Sequence, residues 1–224
     1  MPTTVYLIRH GETDWNLAGR WQGHADVPLN AVGARQARLV ARRLAGEGVR
    51  FDAIYSSDLA RAFQTAWEIG AAVKVAVQLL PNLREIDLGT WSGLTYDEIK
   101  VTHPTEIALL EQGQDVPRGG GETLSALRKR VVEAVDAIAN HHRGETLALV
   151  THGGCIRMLL AHAESFQGDG FKRFPHIGNT SISVVRVGPK GWEPLRVNDM
   201  AHLEAADEPE LVSAPPDDAE RPAL

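Results

Sequence analysis

The sequence predicts an α/β fold, a three-layer α/β/α sandwich in which helices cover both faces of a mostly parallel sheet. Short apolar, β-branched runs typical of strands alternate with stretches whose apolar residues recur at helical spacing. Two of these runs, residues 4–8 and 146–150, are apolar with little interruption, as in parallel strands buried on both faces. The chain has 224 residues, 43% of them hydrophobic, so we expect one domain over residues 1–202 with a single core.

The individual elements follow from periodicity and from capping residues. Strands are predicted at residues 4–8, 51–56, 73–80 and 146–150, with a terminal hairpin at residues 179–187 and 192–197. Helices are predicted from the cap Asn30 to Gly46, from the cap Ser57 through Ile69, from Thr123 through Ile138, and over residues 156–161. Residues 83–93 predict an ordered loop, and residues 95–112 one or two short helices broken at Pro104. Residues 94–121 form an excursion that we expect to cover a site.

The composition excludes several classes of protein. A net charge of -6 leaves no global basic surface for non-specific nucleic-acid binding. The single cysteine, Cys155, excludes an internal disulfide and a multi-cysteine zinc site. Because there is neither a long uncharged apolar run nor a signal-peptide pattern, we expect a cytoplasmic protein without a membrane partner. Residues 203–224 are acidic and rich in proline, which predicts a disordered tail.

Two predicted strands end in a histidine followed by a glycine. Arg9-His10-Gly11 follows the first strand and His152-Gly153 follows the strand at residues 146–150. Arg61 lies in the first turn after the second strand, and the carboxyl ends of parallel strands meet at one edge of the sheet, where ligands bind. Two arginines and two histidines would repel one another there unless an anion lay between them. Because guanidinium groups bind phosphate oxygens bidentately, this pattern predicts a phosphoryl site.

With these motifs the sequence resembles the histidine phosphatase superfamily, also called the phosphoglycerate-mutase-like family. The resemblance covers about residues 4–188 and rests on four stretches in the family's order: residues 7–16 (LIRHGETDWN), residues 56–66 (SSDLARAFQTA), Leu83-Arg84-Glu85 with Gly89 and Gly93, and residues 150–154 (VTHGG). It implies the phosphoglycerate mutase-like fold. It also implies a short, phosphatase-type enzyme that hydrolyses small phosphorylated metabolites through a phosphohistidine, without a metal or another cofactor.

The resemblance further implies roles for individual residues. His10 would be the nucleophile, neutral at the attacking nitrogen and held at its other ring nitrogen by a backbone carbonyl. Arg9, Arg61 and His152 would hold the phosphoryl oxygens. Glu85 would protonate the leaving alkoxide and then activate water. The positions expected to complete the phosphate pocket are Asn16, Gln22, Gly23 and Gly153.

Two other functions stay open at this point. A phosphoglycerate mutase would return the phosphoryl group to a different hydroxyl, and the family's cofactor-dependent mutases carry a long, arginine-rich insertion after the general acid. Here residues 86–121 contain Lys100 and Arg118 against six acidic residues, which argues against a substrate with both carboxylate and phosphate and favours hydrolysis. A catalytically inactive phosphate-binding module is disfavoured because His10 and Glu85 are both present. The sequence leaves open the natural substrate and whether the protein is a homodimer.

Overall fold

The computed structural model describes residues 1–204. Its strands form one six-stranded sheet: β1 (Thr3–Arg9), β2 (Ala53–Ser56), β3 (Val77–Leu79), β4 (Thr146–Thr151), β5 (Ile182–Gly188) and β6 (Gly191–Asp199). The strand order is β3-β2-β4-β1-β5-β6. The strands β3, β2, β4 and β1 run parallel, whereas β5 pairs antiparallel with β1, and β6 pairs antiparallel with β5. The predicted α/β class with a mostly parallel sheet is confirmed.

Helices cover both faces of this sheet. The α-helices are α1 (Asp14–Leu17), α2 (Ala31–Gly46), α3 (Ala60–Val73), α4 (Tyr96–Thr102), α5 (Pro104–Glu111), α6 (Leu124–His141), α7 (Gly153–Ala163), α8 (Gly170–Arg173) and α9 (Ala201–Glu204). Val40 of α2 packs with Ile54 in the core of one face, and Val131 of α6 packs with Leu147 in the core of the other. Helix, sheet and helix therefore form three layers. Within residues 1–204 no helix is both long and apolar enough to cross a bilayer.

The register of the sheet brings three strand ends to the same level. Ser56, the last residue of β2, lies opposite Val150 of β4, and Arg9, the last residue of β1, lies opposite Thr151, the next residue of β4. The ladder continues just past the strands, because the His10 N–H donates to the Thr151 carbonyl and the Ser57 N–H to the Val150 carbonyl, both at 3.0 Å. His10, Ser57 and His152 consequently leave the sheet side by side at one edge.

The sequence prediction is wrong in two places around helix α3. Ser57 does not cap this helix, which begins at Ala60; the Ala60 N–H instead donates to Asp26 Oδ1 at 2.6 Å, from a distant loop. The strand predicted at residues 73–80 begins too early, since Val73 is the last residue of α3 and Lys74, with φ of +59°, ends the helix in the left-handed region. Strand β3 has three residues, and all three pair with β2.

The other predicted element boundaries lie closer to those of the structure. Helix α7 starts at Gly153 rather than at residue 156, and residues 95–112 form two helices separated before Pro104, as expected. The loop at residues 83–93 contains a 3-10 turn at Gly89–Trp91, and another turn, Pro81–Leu83, precedes it. The predicted tail lies outside the described residues except for Leu203 and Glu204, which are helical in α9 rather than disordered. The domain boundary at residue 202 stays a prediction.

Candidate active site

The two histidines of the strand-end motifs meet at the edge of the sheet. The ring centroids of His10 and His152 are 5.2 Å apart, and the two side chains are buried. The predicted site residues around them come from four separate stretches of sequence. The structure brings these residues together because β1, β2 and β4 end at one level.

His10 is held in a single ring orientation. Its Nδ1 lies 2.6 Å from the Gly11 carbonyl oxygen, which can only accept, so Nδ1 carries the proton and Nε2 keeps its lone pair. Burial, reinforced by the charges of Arg61 and Arg9, lowers the pKa of His10 well below its ordinary value. The imidazole is therefore neutral, with the hydrogen bond to a backbone carbonyl that we expected and a free nitrogen for attack.

Two arginines lie beside this histidine, Arg61 buried and Arg9 half-buried. Arg61 donates from Nη1 to the Ala25 carbonyl at 2.7 Å and from Nη2 to the Gly23 carbonyl at 2.8 Å, while Arg9 donates from Nη1 to the Ile177 carbonyl at 2.6 Å. Burial lowers the pKa of each arginine to about 10, so both stay charged at neutral pH. The Nε of each is buried and has no hydrogen-bond partner among the described residues. Buried donors require an acceptor, and the oxygens of an anion supply one.

His152 has one satisfied and one unsatisfied nitrogen. Its Nε2 lies 2.9 Å from Ser57 Oγ, and its Nδ1 is buried without a partner within residues 1–204. Burial, and then the charges of Arg61 and His10, lower the pKa of His152 well below its ordinary value. A phosphate dianion would shift this pKa in the opposite direction. The contact with Ser57 has no signal in the sequence, because a serine that precedes a helix predicts a helix cap.

Glu85 is oriented by two backbone hydrogen bonds. The Ile86 N–H donates to Oε1 and the Gly154 N–H donates to Oε2, both at 2.9 Å. A Cβ added at Gly154 would overlap Glu85 Oε1, so the carboxylate can approach α7 this closely only over a glycine. Arg130 Nη2 also donates to the Glu85 carbonyl at 3.1 Å, which anchors the backbone from α6. Neither Gly154 nor Arg130 was among the predicted site residues.

The remaining predicted positions also lie at this site. Asn16 and Gln22 line the cavity in front of His10, and Gln22 Oε1 is buried without a partner in the described part of the chain. Gly23 also lines the cavity. Its φ of +51° is in the left-handed region, where a residue with a side chain would be strained. Gly153 is the first residue of α7, and a Cβ there would come within 3.5 Å of Arg9 Nε.

Asn179 is a site residue that the sequence prediction missed. Its Nδ2 donates to the His10 carbonyl at 3.0 Å and to Asn16 Oδ1 at 3.4 Å. The next residue, Thr180, donates its backbone N–H to the carbonyls of Arg9 and His10. The sequence shows only that two polar residues, Asn179 and Thr180, precede the first strand of the predicted hairpin. It does not show that these residues contact the end of β1, which is about 170 residues away in sequence.

The site opens into a cavity of about 940 Å³. Its inner end is formed by the residues around His10. Its outer end is formed by residues 110–118 of the predicted cover, by the start of α6 and by residues 166–172, and Arg157 of α7 lies between the two ends. Residues from the stretch 110–118 line the cavity, and the cover over residues 94–121 stays a prediction.

The charge argument drawn from the cover is wrong. Of the six acidic residues in 86–121, Asp115 alone lines the cavity, whereas the cations that line the space beyond the inner end are Arg20, Arg118, Arg128, Arg157 and Lys172. The other acidic side chains include three that hold backbone N–H groups: Asp87 accepts from Gly89, Glu98 from Thr95 and Glu106 from Gly119. The net charge of a segment therefore does not give the charge that faces a ligand.

No group of three or more His, Cys, Asp or Glu side chains that could hold a metal ion is found within residues 1–204. Of the two cations near His10, Arg61 is buried and Arg9 is half-buried. Cys155 is buried against this region, and burial raises the pKa of its thiol to about 12, so it is not a thiolate nucleophile.

Comparison with known proteins agrees with this geometry. The chain is 40% identical to phosphoglycerate mutase-like protein 4 of Arabidopsis thaliana over 206 residues, which cover 89% of this chain and 86% of that protein. It is 35% identical to the metal-independent phosphoserine phosphatase of the same plant, over 91% of this chain and 84% of the relative. The solved structure of YhfR from Bacillus stearothermophilus superposes with a TM-score of 0.82 at 34% identity, covering 90% of this chain and 99% of that one.

A family model covers nearly all the described residues. The model of the histidine phosphatase superfamily, branch 1, matches residues 5–200, from the first strand to the end of the sheet. This match includes both histidine motifs, Arg61 and Glu85 in one continuous alignment. The chain therefore belongs to the histidine phosphatase superfamily.

Proposed function

We propose that this phosphomonoester hydrolase of the histidine-phosphatase type works through a phosphohistidine at His10. In the first step His10 Nε2 attacks phosphorus, the P–N bond forms as the ester P–O bond breaks, and Glu85 donates its proton to the leaving alkoxide. In the second step Glu85 takes a proton from water, the resulting hydroxide attacks phosphorus, and the P–N bond breaks to release phosphate and neutral His10.

One observation carries this proposal: a buried, neutral His10 is surrounded by three unsatisfied nitrogen atoms. Arg9 Nε, Arg61 Nε and His152 Nδ1 are all buried without partners among residues 1–204. Groups fixed in this way need no reorganisation as negative charge develops on the phosphoryl oxygens. Asn16, Gln22, Gly23 and Gly153 complete the phosphate pocket in this proposal.

The fixed charges also provide what a metal ion supplies in other phosphatases. Arg9 and Arg61 are desolvated cations, and electrostatic interactions are stronger where water is excluded. The Arabidopsis relative named a metal-independent phosphoserine phosphatase supports a metal-free reaction. A small-molecule phosphomonoester substrate and a cytoplasmic location belong to the same proposal.

A mutase is the second candidate, because the Arabidopsis relative at 40% identity is named phosphoglycerate mutase-like. A mutase and a hydrolase share the first step and differ in the acceptor of the phosphoryl group. We favour hydrolysis because the cavity is about 940 Å³ and open to solvent at its outer end, which admits water to phosphohistidine. Isomerised phosphoglycerate without release of phosphate would contradict this choice.

The substitution His10→Ala tests the proposal. We expect phosphate release from p-nitrophenyl phosphate, in the presence of a chelator, to fall by about 10⁴-fold or more because the nucleophile is lost. Rapid quenching of the wild-type enzyme with labelled substrate should give an acid-labile label on residue 10. His141→Ala, at an exposed histidine of α6, is the matched control and should keep full activity. A His10→Ala enzyme with substantial turnover, or a label on another residue, would refute the mechanism.

A further inference from the structure

We infer that the outer half of the cavity binds the alcohol part of the substrate, and that this alcohol has an apolar body and a second negative charge. The outer half is the outer end described above, lined by residues 110–118, by the start of α6 and by residues 166–172. This inference rests on the proposed function, because it places the phosphoryl group at His10. It defines the substrate class as monophosphate esters of acidic, partly apolar alcohols.

The cavity is large enough for a ligand of which the phosphoryl group is only a small part. Pockets of about 300–1,000 Å³ enclose ligands of drug size, and this cavity has about 940 Å³. The phosphoryl group takes the inner end, where Arg9, His10 and Arg61 meet. The space beyond Glu85 is therefore left for the leaving alcohol.

The outer half offers apolar surface for the body of the alcohol. Phe166 and Phe171 line one side of it, and Leu110 and Leu124 come from helices α5 and α6. Phe166 keeps 36% of its surface exposed, so part of its ring is open to contact with a ligand. The Arg157 guanidinium lies over the Phe171 ring at 4.8 Å and fixes that ring as a wall.

The outer half also offers unpaired positive charge. Arg128 and Lys172 both line the cavity, and the side chain of neither has an ion-pair or hydrogen-bond partner among the described residues. Arg128 lies in α6 and Lys172 lies in α8, so the fold brings two separate helices, each with a cation, to the cavity. A carboxylate or a second phosphate on the substrate is the kind of group that such cations bind.

The two acidic residues that line this half are already engaged. Asp115 accepts from the Leu124 N–H at 2.9 Å, from the Ser125 N–H at 3.0 Å and from Arg118 Nη1 at 3.2 Å. Asp169 accepts from the Phe171 N–H at 2.8 Å. Three cations, Arg118, Arg128 and Lys172, line this half against these two carboxylates, so its net charge is positive.

A pair of substrates differing in one charge tests the inference. We expect kcat/KM for 4-carboxyphenyl phosphate to exceed that for 4-carbamoylphenyl phosphate by about tenfold at low ionic strength, since the two differ in charge and hardly in size. The double substitution Arg128→Gln with Lys172→Gln should reduce this ratio to near one. Lys129→Gln, next to Arg128 but directed to solvent with 76% of its side chain exposed, is the matched control and should keep the preference.

A binding measurement separates this inference from the proposed function. The matched phosphonates, 4-carboxybenzyl and 4-carbamoylbenzyl phosphonate, cannot be hydrolysed, and calorimetry should show the carboxylate binding about tenfold more tightly. If p-nitrophenyl phosphate is not hydrolysed but the phosphonates bind with this preference, the proposed function fails and the assignment of the outer half stands. If both phenyl esters are hydrolysed with equal kcat/KM, or the preference survives the double substitution, the inference is wrong while the proposed function stands.

Discussion

The two ends of the cavity are built in opposite ways. At the inner end the charged and titratable side chains are held in place, three of them by backbone groups: His10 by the Gly11 carbonyl, Arg61 by two carbonyls, and Glu85 by two N–H groups. At the outer end Arg128 and Lys172 project without partners in the described chain. His10 and Arg61 are buried and Glu85 is half-buried, whereas Lys172 is exposed.

This difference indicates a division of work between the two ends. Groups fixed by the backbone and shielded from water stabilise charge that develops during reaction, because they need not reorient. Groups on flexible stems at a solvent-exposed opening bind ground state and transition state alike and therefore act on KM. Substitutions at the inner end should lower kcat, and substitutions at the outer end should mainly raise KM.

The largest effect in this comparison is expected for Gly154→Ala. The new methyl group would overlap Glu85 Oε1 and displace the carboxylate, so kcat for an alkyl phosphate should fall by about 100-fold, as for loss of general acid catalysis. The loss should be smaller for p-nitrophenyl phosphate, whose leaving group needs less protonation. Gly46→Ala is the control, since a Cβ at Gly46 meets no atom within 4 Å. An unchanged kcat of Gly154→Ala on the alkyl phosphate would contradict the proposed role of Glu85.

A smaller effect is expected for Asn179→Ala. This change removes the hydrogen bonds to the His10 carbonyl and to Asn16 Oδ1, which loosens the segment that carries the nucleophile. We expect kcat to fall by about tenfold with KM nearly unchanged, by steady-state kinetics on p-nitrophenyl phosphate. Asn140→Ala, at an exposed position of α6, is the control. A rise in KM at constant kcat would show that Asn179 binds substrate rather than positioning His10.

A further effect concerns stability at acid pH. Burial lowers the pKa of His10, of His152 and of His202, the last to about 4. Because the unfolded chain takes up these protons below about pH 6.5 and the folded chain does so only at lower pH, the free energy of unfolding should fall as the pH drops below 6.5. His202→Gln should reduce the loss between pH 7 and pH 5 by up to about 2 kcal/mol.

Urea unfolding at the two pH values measures this difference. His202 lies behind the inner end, where its Nε2 is 3.0 Å from Thr180 Oγ1. His141→Gln, at an exposed histidine, is the control for the change of residue type. An equal loss of stability in wild type and His202→Gln would show that His202 does not contribute to the acid sensitivity.

Much of the inner end follows from the sequence because its signals are local. A strand that ends in Arg9-His10-Gly11 places these residues at a sheet edge whatever the rest of the chain does, and the same holds for His152. The predicted hydrogen bond of His10 is to the adjacent residue, Gly11, and so depends on little beyond the turn. The roles assigned to these residues came with the family resemblance and stay proposals.

The misassigned residues depend on contacts between distant parts of the chain. Ser57 was interpreted as a helix cap, yet its hydroxyl contacts His152, 95 residues away. The capping acceptor of α3 is Asp26, 34 residues from Ala60. Short-range patterns contain no information about such pairs.

By itself the sequence determined the α/β class, the order of the motifs and the residues that meet at the inner end, because strand ends and turns are encoded locally. The tertiary structure alone decided the charge of the outer end. Its acidic side chains hold backbone N–H groups and Arg118, whereas Arg128 and Lys172 converge from helices far apart in sequence. Which charges face a ligand depends on three-dimensional packing, and a count along the chain predicted the opposite sign.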